Sequence, residues 1–376
     1  MKAHAKLSAS GSHRWINCPG SVKAEEGLPD TRSHFADEGT AAHELAEHVL
    51  INSPHLFAFQ YEGLKHPTHD ALTVSYEMCA AVQAYVDYVI TVGKNCDLDQ
   101  EVRLDFSDYV PEGFGTADAL AFDGTTVHVI DFKYGKGVMV DAYQNTQAIL
   151  YALGALKRFD FYDPEYFHVH IVQPRIDHIS EWRLTRDELL ALGEWIKRSA
   201  EEALKPNAPR IPGEKQCQFC KAKATCPALA KHTENVLMSS FDDLTLQNPD
   251  KLTNEQLRKA MDAKKLIVSW LDAVEDHISS IINESGTFPG YKLVEGRSLR
   301  QWSNDAEAEK RLISLLGNDA FERKILSVAK AEKALGKKRI PDISDLIEKP
   351  KGKPTLAPES DSRPSIFDIA SEFDTL

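Results

Sequence analysis

Four cysteines constrain this chain more than any other feature. Cys217, Cys220 and Cys226 form a C-x2-C-x5-C pattern, and Cys18 lies far upstream in Trp15-Ile16-Asn17-Cys18-Pro19-Gly20. Closely spaced soft thiolates want a thiophilic metal, and a metal of that kind takes four ligands. With Cys18 as the fourth, the two ends of a domain are clasped together and residues 18–226 become one unit. Cys79 and Cys96 stand outside the set. Cys79 lies among Met78, Ala80, Ala81 and Val82, where a buried structural thiol is expected.

Disulfides are the rival reading, and the compartment decides against them. No stretch approaches the apolar run that spans a bilayer. The opening residues Met1-Lys2-Ala3-His4-Ala5-Lys6-Leu7 carry basic charge with no apolar core behind them, so no secretion signal is expected. A cytoplasmic protein keeps its thiols reduced, which favours metal ligation. The 376 residues can hold one large domain with an extension, or two domains.

The formal net charge of -13 argues against a protein that coats nucleic acid through bulk charge. It leaves room for a nuclease, whose carboxylates add negative charge and whose DNA contacts need only a local basic strip. Lys133, Lys136, Lys157 and Arg158 are candidates for such a strip, and Lys333, Lys337, Lys338 and Arg339 form a second run. A solvated helix face is the simpler reading of both.

Periodicity predicts helices from Asp37 to about Ile51, Ser75 to about Val92 and Gln144 to about Leu156. A further helix opens at the capping box Thr185-x-x-Glu188 and runs to about Leu204. Strands are expected at Val102–Phe106, Asp118–Phe122, Val127–Lys133, Phe167–Gln173 and Ile179–Leu184, with Asp123-Gly124 as a hairpin turn. Beyond Cys226, Thr253-x-x-Gln256 opens a long helix with an apolar stripe of Leu257, Met261, Leu266, Trp270, Val274 and Ile278. A hairpin is expected from Tyr291–Val294 and Leu299–Trp302, and helices at about 304–316 and 328–336. From Pro350 the chain is polar and expected to be disordered, ending in the alternating acidic and apolar run Ile366–Phe373. The expected divisions are therefore 1–228, a mostly helical 229–348 and a polar tail at 349–376.

Specific polar residues fall at the ends of these elements. Asp118 lies in Gly115-Thr116-Ala117-Asp118-Ala119-Leu120, and Asp131-Phe132-Lys133 ends the apolar run Val127-His128-Val129-Ile130. Side chains two apart on a strand share a face, so Asp131 and Lys133 project together and a hairpin brings Asp118 beside them. Carboxylates at the end of a core strand are costly to bury without a cation. Two carboxylates and a lysine suit divalent-metal hydrolysis of a phosphodiester, with hard oxygens on Mg2+ or Mn2+. A salt-bridged strand end is the plainer alternative for Asp131 and Lys133. Gln147 and Tyr151 stand one helical turn apart and interrupt an apolar helix. His43 and Glu47 share a helix face. The string His43-Glu44-Leu45-Ala46-Glu47-His48 fails as a zinc-protease motif, because His48 is five residues from His43 and points off its face.

The ordered set His43, Asp118, Asp131-x-Lys133 and Gln147-x-x-x-Tyr151 resembles the RecB-like branch of the PD-(D/E)xK nuclease superfamily. The cysteine arrangement resembles its iron–sulfur members, among them AddB-type helicase–nuclease subunits and CRISPR adaptation nucleases, and the compact form looks like stand-alone phage and prophage nucleases. The resemblance covers about residues 7–228. It implies an α/β, restriction-endonuclease-like core, a central mixed sheet flanked by helices, with a mostly helical C-terminal extension. It further implies that His43, Asp118 and Asp131 hold Mg2+ or Mn2+, that Lys133 is catalytic, and that Gln147 and Tyr151 lie near substrate and metal. Cys18, Cys217, Cys220 and Cys226 would hold a structural 4Fe-4S cluster, with Zn2+ as the rival occupant. The implied activity is that of a DNA nuclease, an exonuclease on linear or single-stranded ends, beside a recombinase, helicase or single-strand-binding protein. A non-catalytic DNA- or partner-binding module with a structural metal cluster is the alternative. Ala117-Asp118 replaces the Pro-Asp of the branch, Asp131 stands where Glu is also found, and Glu101 is a further acidic candidate.

Overall fold

In the computed structural model, the described residues are 5–29, 34–52, 55–66, 72–241, 254–294 and 305–316. The chain divides into two compact units, Met1–Leu293 and Val294–Leu376. Residue 228, the expected boundary, therefore lies inside the first.

The first unit is α/β. Five strands, β1 (Asp97–Asp105), β2 (Phe114–Phe122), β3 (Thr126–Phe132), β4 (Tyr166–Gln173) and β5 (His178–Thr185), form one sheet in sequential order. All neighbours are antiparallel except β3 and β4, which are parallel. Parallel neighbours need a long crossover, and helix α5 (Thr146–Phe159) supplies it. The mixed sheet flanked by helices is the architecture expected above. The Asp123-Gly124 turn joins β2 to β3, with Asp123 Oδ1 accepting from the Thr125 and Thr126 amides at 2.8 and 2.6 Å.

Two apolar clusters cover the two faces. On one, α5 with α1 (Ser12–Asn17) and α6 (Arg186–Ala203) packs Ile149, Leu150, Leu153 and Ile196 against Leu104, Leu120 and Val129. On the other, α3 (His34–Ile51) and α4 (Tyr76–Val92) pack Leu45, Val49, Val82 and Tyr85 against Ile130 and Phe132. Fully burying each such side chain contributes roughly 1.5–3 kcal/mol, so both helical layers are firmly seated. Local signals agree with this packing. Ser75 caps α4 at the Met78 amide, Asn145 caps α5 at the Ala148 amide, and the Thr185–Glu188 capping box closes as expected. Cys79 is fully buried in the second cluster.

Several elements depart from the sequence reading. The short helices α1 and α2 (Ser21–Ala24) precede the expected first helix, which itself begins at His34. Helices α7 (Glu214–Gln218) and α8 (Pro227–Phe241) surround the cysteines, and α9 (Asn254–Ser285) follows. On α9 only part of the expected stripe is covered: Leu266 is buried, whereas Leu257 and Met261 are exposed. Tyr291–Val294 forms no strand, only a single bridge from Tyr291 to Phe288. In the second unit, α10 (Asp305–Leu316) forms where a helix was expected. The expected strand 299–302, the helix 328–336, the basic run at 333–339 and the tail lie outside the described residues.

Candidate active site

The sheet opens where the acidic residues sit. The ladder between β2 and β3 ends at Ala119↔Ile130, one step short of Asp118 and Asp131. Beyond that step β3 stays with β4, the Lys133 amide donating to the Val172 carbonyl at 2.8 Å. The Phe132 amide donates instead to Asp118 Oδ2 at 2.6 Å. A carboxylate thus takes the place of a neighbouring strand at this split.

The same level is marked on β1. Gln100↔Ala119 and Val102↔Ala117 are paired, which leaves Glu101 facing Asp118. Glu101 adopts φ 46°, the left-handed region that a side chain other than glycine rarely occupies. The alternation of faces resets there: Ala117 and Ala119, two apart on β2, lie in different apolar clusters. Regular strand geometry would place them together. Strain of this kind costs on the order of 1–3 kcal/mol and persists where the surroundings impose it.

The outcome is a convergence of hard donors. His43 on α3 lies with Nδ1 3.2 Å from Asp118 Oδ1. Ligand atoms of His43, Glu101 and Asp118 all fall within 4.8 Å of one another. They line a cleft with about 840 Å³ of empty space, together with Glu44 and Glu47 of α3. His48 is directed elsewhere and contacts the Tyr61 hydroxyl at 2.8 Å.

Asp131, Lys133, Gln147 and Tyr151 form a chain behind this cleft rather than part of its lining. Lys133 Nζ lies 2.7 Å from Asp131 Oδ2 and donates to Gln147 Oε1 at 3.0 Å. Gln147 Nε2 donates to the Tyr151 hydroxyl at 3.1 Å. Gly115 gives the Tyr151 ring its room, since a Cβ at that position would stand 2.7 Å from the ring. Gln147 thus contacts the Lys133 ammonium, and Tyr151 in turn holds Gln147. Asp131 is buried, and among the described residues its Oδ2 accepts no hydrogen bond of good geometry, only the ion-pair contact with Lys133. An under-satisfied buried carboxylate oxygen calls for a further cation or water.

Electrostatics divide the groups. Burial pushes the Glu101 carboxyl up to about 7, reinforced by Asp118, Glu47 and Glu44. Burial likewise raises Asp131, and Lys133 offsets this only in part. For Asp118, burial is outweighed by the His43 charge and hydrogen bond, Lys133 and the Phe132 amide, so it stays below the usual carboxylate range. Burial opposes the Lys133 charge, yet Asp131 and Asp118 raise its pKa, and the side chain remains an ammonium.

The cysteines form a second site, with soft donors carried on short helices and loops. Cys18, Cys217, Cys220 and Cys226 all line one pocket. Cys18 Sγ accepts from the Ile211 amide at 3.2 Å, and the Gly20 amide donates to the Pro209 carbonyl at 2.8 Å. Gly20 is required by that approach, because a Cβ would stand 2.6 Å from the Ala208 carbonyl oxygen. Arg14 binds Glu25 at 3.0 Å and the Phe219 carbonyl at 3.0 Å, and Glu25 accepts from the Lys221 amide at 2.8 Å. Leu266 and Trp270 of α9 pack against Cys217, Cys226 and Leu229. Burial raises the Cys18 and Cys217 thiols and pushes Cys220 up to about 12.

The expected basic strip is neutralised in place. Lys157 pairs with Asp105 and Asp108, Arg158 with Asp99, and Lys136 with Glu77.

A family model described as "Protein of unknown function" (DUF2800) matches residues 4–364. The chain belongs to this family. DUF2800 thus reaches from the Cys18 segment through the cleft, the remaining cysteines and most of the second unit. A solved chain described as "Crystal structure of SSO0001" aligns at 17% identity and a TM-score of 0.29, over 60% of this chain and 90% of its own. That likeness is too slight to inform the site. Among the described residues, no helix is long and apolar enough to cross a membrane.

Proposed function

We propose that this DUF2800 chain is a metal-dependent deoxyribonuclease, resembling RecB-like PD-(D/E)xK enzymes, that hydrolyses DNA from its ends. The observation that carries the reading is the gathering of His43, Glu101 and Asp118 at the split between strands, with Asp131 and Lys133 directly behind. The cleft carries Glu44, Glu47, Glu101 and Asp118, so it repels phosphate until divalent cations neutralise it. The donors suit Mg2+ or Mn2+, all being oxygens except one imidazole. Such an ion lowers the pKa of a bound water and polarises the phosphate.

The chain's own residues supply the rest. Asp118 is fixed by the Phe132 amide and His43 at the lining of the cleft. Lys133 stays protonated, which fits electrostatic stabilisation of developing charge rather than a base. Gln147 and Tyr151 hold that ammonium at one height above the sheet.

The four cysteines lining one pocket support a structural 4Fe-4S cluster as the occupant. The cluster reading rests on the resemblance of the cysteine spacing to iron–sulfur members of the nuclease branch, and Zn2+ remains the rival occupant. Anaerobic purification tests this: a brown, iron-containing protein is expected, and a colourless zinc-loaded one rejects the cluster.

The activity test is digestion of end-labelled linear, circular and single-stranded DNA with Mg2+ or Mn2+. Linear DNA should be degraded, EDTA should stop the reaction, and Lys133→Ala should lower the rate by about 100- to 1,000-fold. DNA binding without metal-dependent cleavage would point instead to a binding module, and full activity in Lys133→Ala would falsify the mechanism.

A further inference from the structure

A second donor set lies elsewhere on the same sheet. The parallel register of β3 and β4 sets His128 beside His168, with His170 two residues further on the same face. Ligand nitrogens of all three imidazoles lie within 4.8 Å of one another. His128 Nδ1 and His170 Nε2 are 3.0 Å apart, and the His168 and His170 ring centroids 4.1 Å. Two imidazole nitrogens on one tetrahedral ion stand about 3.3 Å apart, so the observed spacing is close to that of a ligand pair.

The surroundings aim these nitrogens inward. The Tyr88 hydroxyl donates to Glu181 Oε1 at 2.7 Å. His170 Nδ1 lies 3.1 Å from the same carboxylate oxygen and 2.9 Å from the Tyr88 oxygen. The Tyr88 proton is committed to Glu181, so His170 carries its hydrogen on Nδ1 and turns the Nε2 lone pair toward His128. Asp123 Oδ2 stands 3.9 Å from His128 Nε2 and favours the matching tautomer there. Two lone pairs facing each other at this distance repel unless a proton or a cation lies between them. Carboxylates placed behind histidines in this way orient the ligands of metal sites. Arg183, opposite His168 in the β4–β5 register, opposes a cation, but its guanidinium stacks on Tyr166 with its carbon 3.9 Å from the ring centroid.

We propose that His128, His168 and His170 bind a borderline divalent metal of the Zn2+ class, with Glu181 and Asp123 behind the ligands and water in the remaining position. Three imidazoles select Zn2+, Ni2+ or Cu2+, whereas the carboxylate cleft selects Mg2+ or Mn2+. One molecule would thereby sort two classes of ion. The inference stands apart from nuclease activity, and so does its test. The full chain, with its cysteine site loaded and excess Mg2+ present, is dialysed against Zn2+ and the metal is counted per chain. His128→Asn and His168→Asn should each bind one Zn2+ fewer than wild type, with iron content and circular dichroism unchanged. Equal zinc counts overturn the proposal. Zinc-edge anomalous diffraction from the wild-type protein covers the case of a misfolded variant. A peak about 2.1 Å from the three nitrogens is expected, and the lack of one overturns the site.

Discussion

The carboxylate cleft and the cysteine clasp are built on opposite plans. Glu101, Asp118 and Asp131 stand at one level of three adjacent strands, and the backbone ladders that flank this level hold the strands in place. Cys18 and the C-x2-C-x5-C segment stand on short helices and loops, with a small apolar cluster of Cys217, Leu229 and Leu266 beneath them. The cleft stores strain and like-charge repulsion inside a strong framework. The clasp stores little of either inside a weak one. A metal at the clasp would therefore contribute mainly to folding, and a metal at the cleft mainly to chemistry.

The largest expected effect tests the clasp. Serine at position 18 can still accept the Ile211 amide, so Cys18→Ser is nearly neutral if no metal is held. If the four thiolates share a cluster, the variant loses iron and its melting temperature falls on the order of 10 °C or more. Asp118→Asn should keep its iron. A Cys18→Ser protein with full iron content and unchanged melting would break the contrast between the two sites.

Glu101→Gln addresses the cleft, with the opposite sign. The Glu101 carboxyl is raised to about 7 in the fold against an ordinary 4.5. Between those values the folded state holds the proton more tightly, so the stability of the metal-free protein falls as pH rises through this window. Glutamine removes the charge. Without divalent metal, the variant should melt a few degrees above wild type at pH 8 and level with it at pH 4.5. Its Mn2+ affinity should fall about tenfold. A variant less stable than wild type at pH 8 would show that Glu101 has a structural partner instead. The same titration makes the stabilisation of wild type by Mn2+ grow between pH 5 and 8.

The two sites also differ in how far the sequence disclosed them. Asp118, Asp131 and Lys133 were legible because strand periodicity fixes which side chains share a face, and the Asp123-Gly124 turn fixes the register. Glu101 was legible only as a neighbour of a strand. It lies within β1, and its importance comes from a positive φ that residue type does not announce. Gln147 and Tyr151 were read by helical spacing, but their place behind Lys133 depends on the depth at which α5 meets the sheet. The histidine triad left a faint signal, the alternation His168-x-His170 on one strand. Its third member joins through a parallel crossover that local pattern does not encode. Around the cysteines, the spacing pointed to the clasp, yet nothing in it showed that Leu266 and Trp270 of α9 would cover the site.

The smallest effect separates positioning from packing within the cleft. Tyr151→Phe keeps the ring against Gly115 and removes only the oxygen that accepts from Gln147. The Gln147 amide then loses a partner, which costs about 1 kcal/mol and moves the melting temperature by a few degrees at most. The consequence for Lys133 is larger in kind. Its ammonium is shared between Asp131 and Gln147, and a freed Gln147 lets it settle toward Asp131. Misplacing one charge by a fraction of an ångström should lower the rate per folded chain by about tenfold, with the KM for DNA unchanged and the cluster absorbance intact. If the rate falls only in proportion to the folded fraction, Tyr151 is a core aromatic and the cleft ends at Lys133.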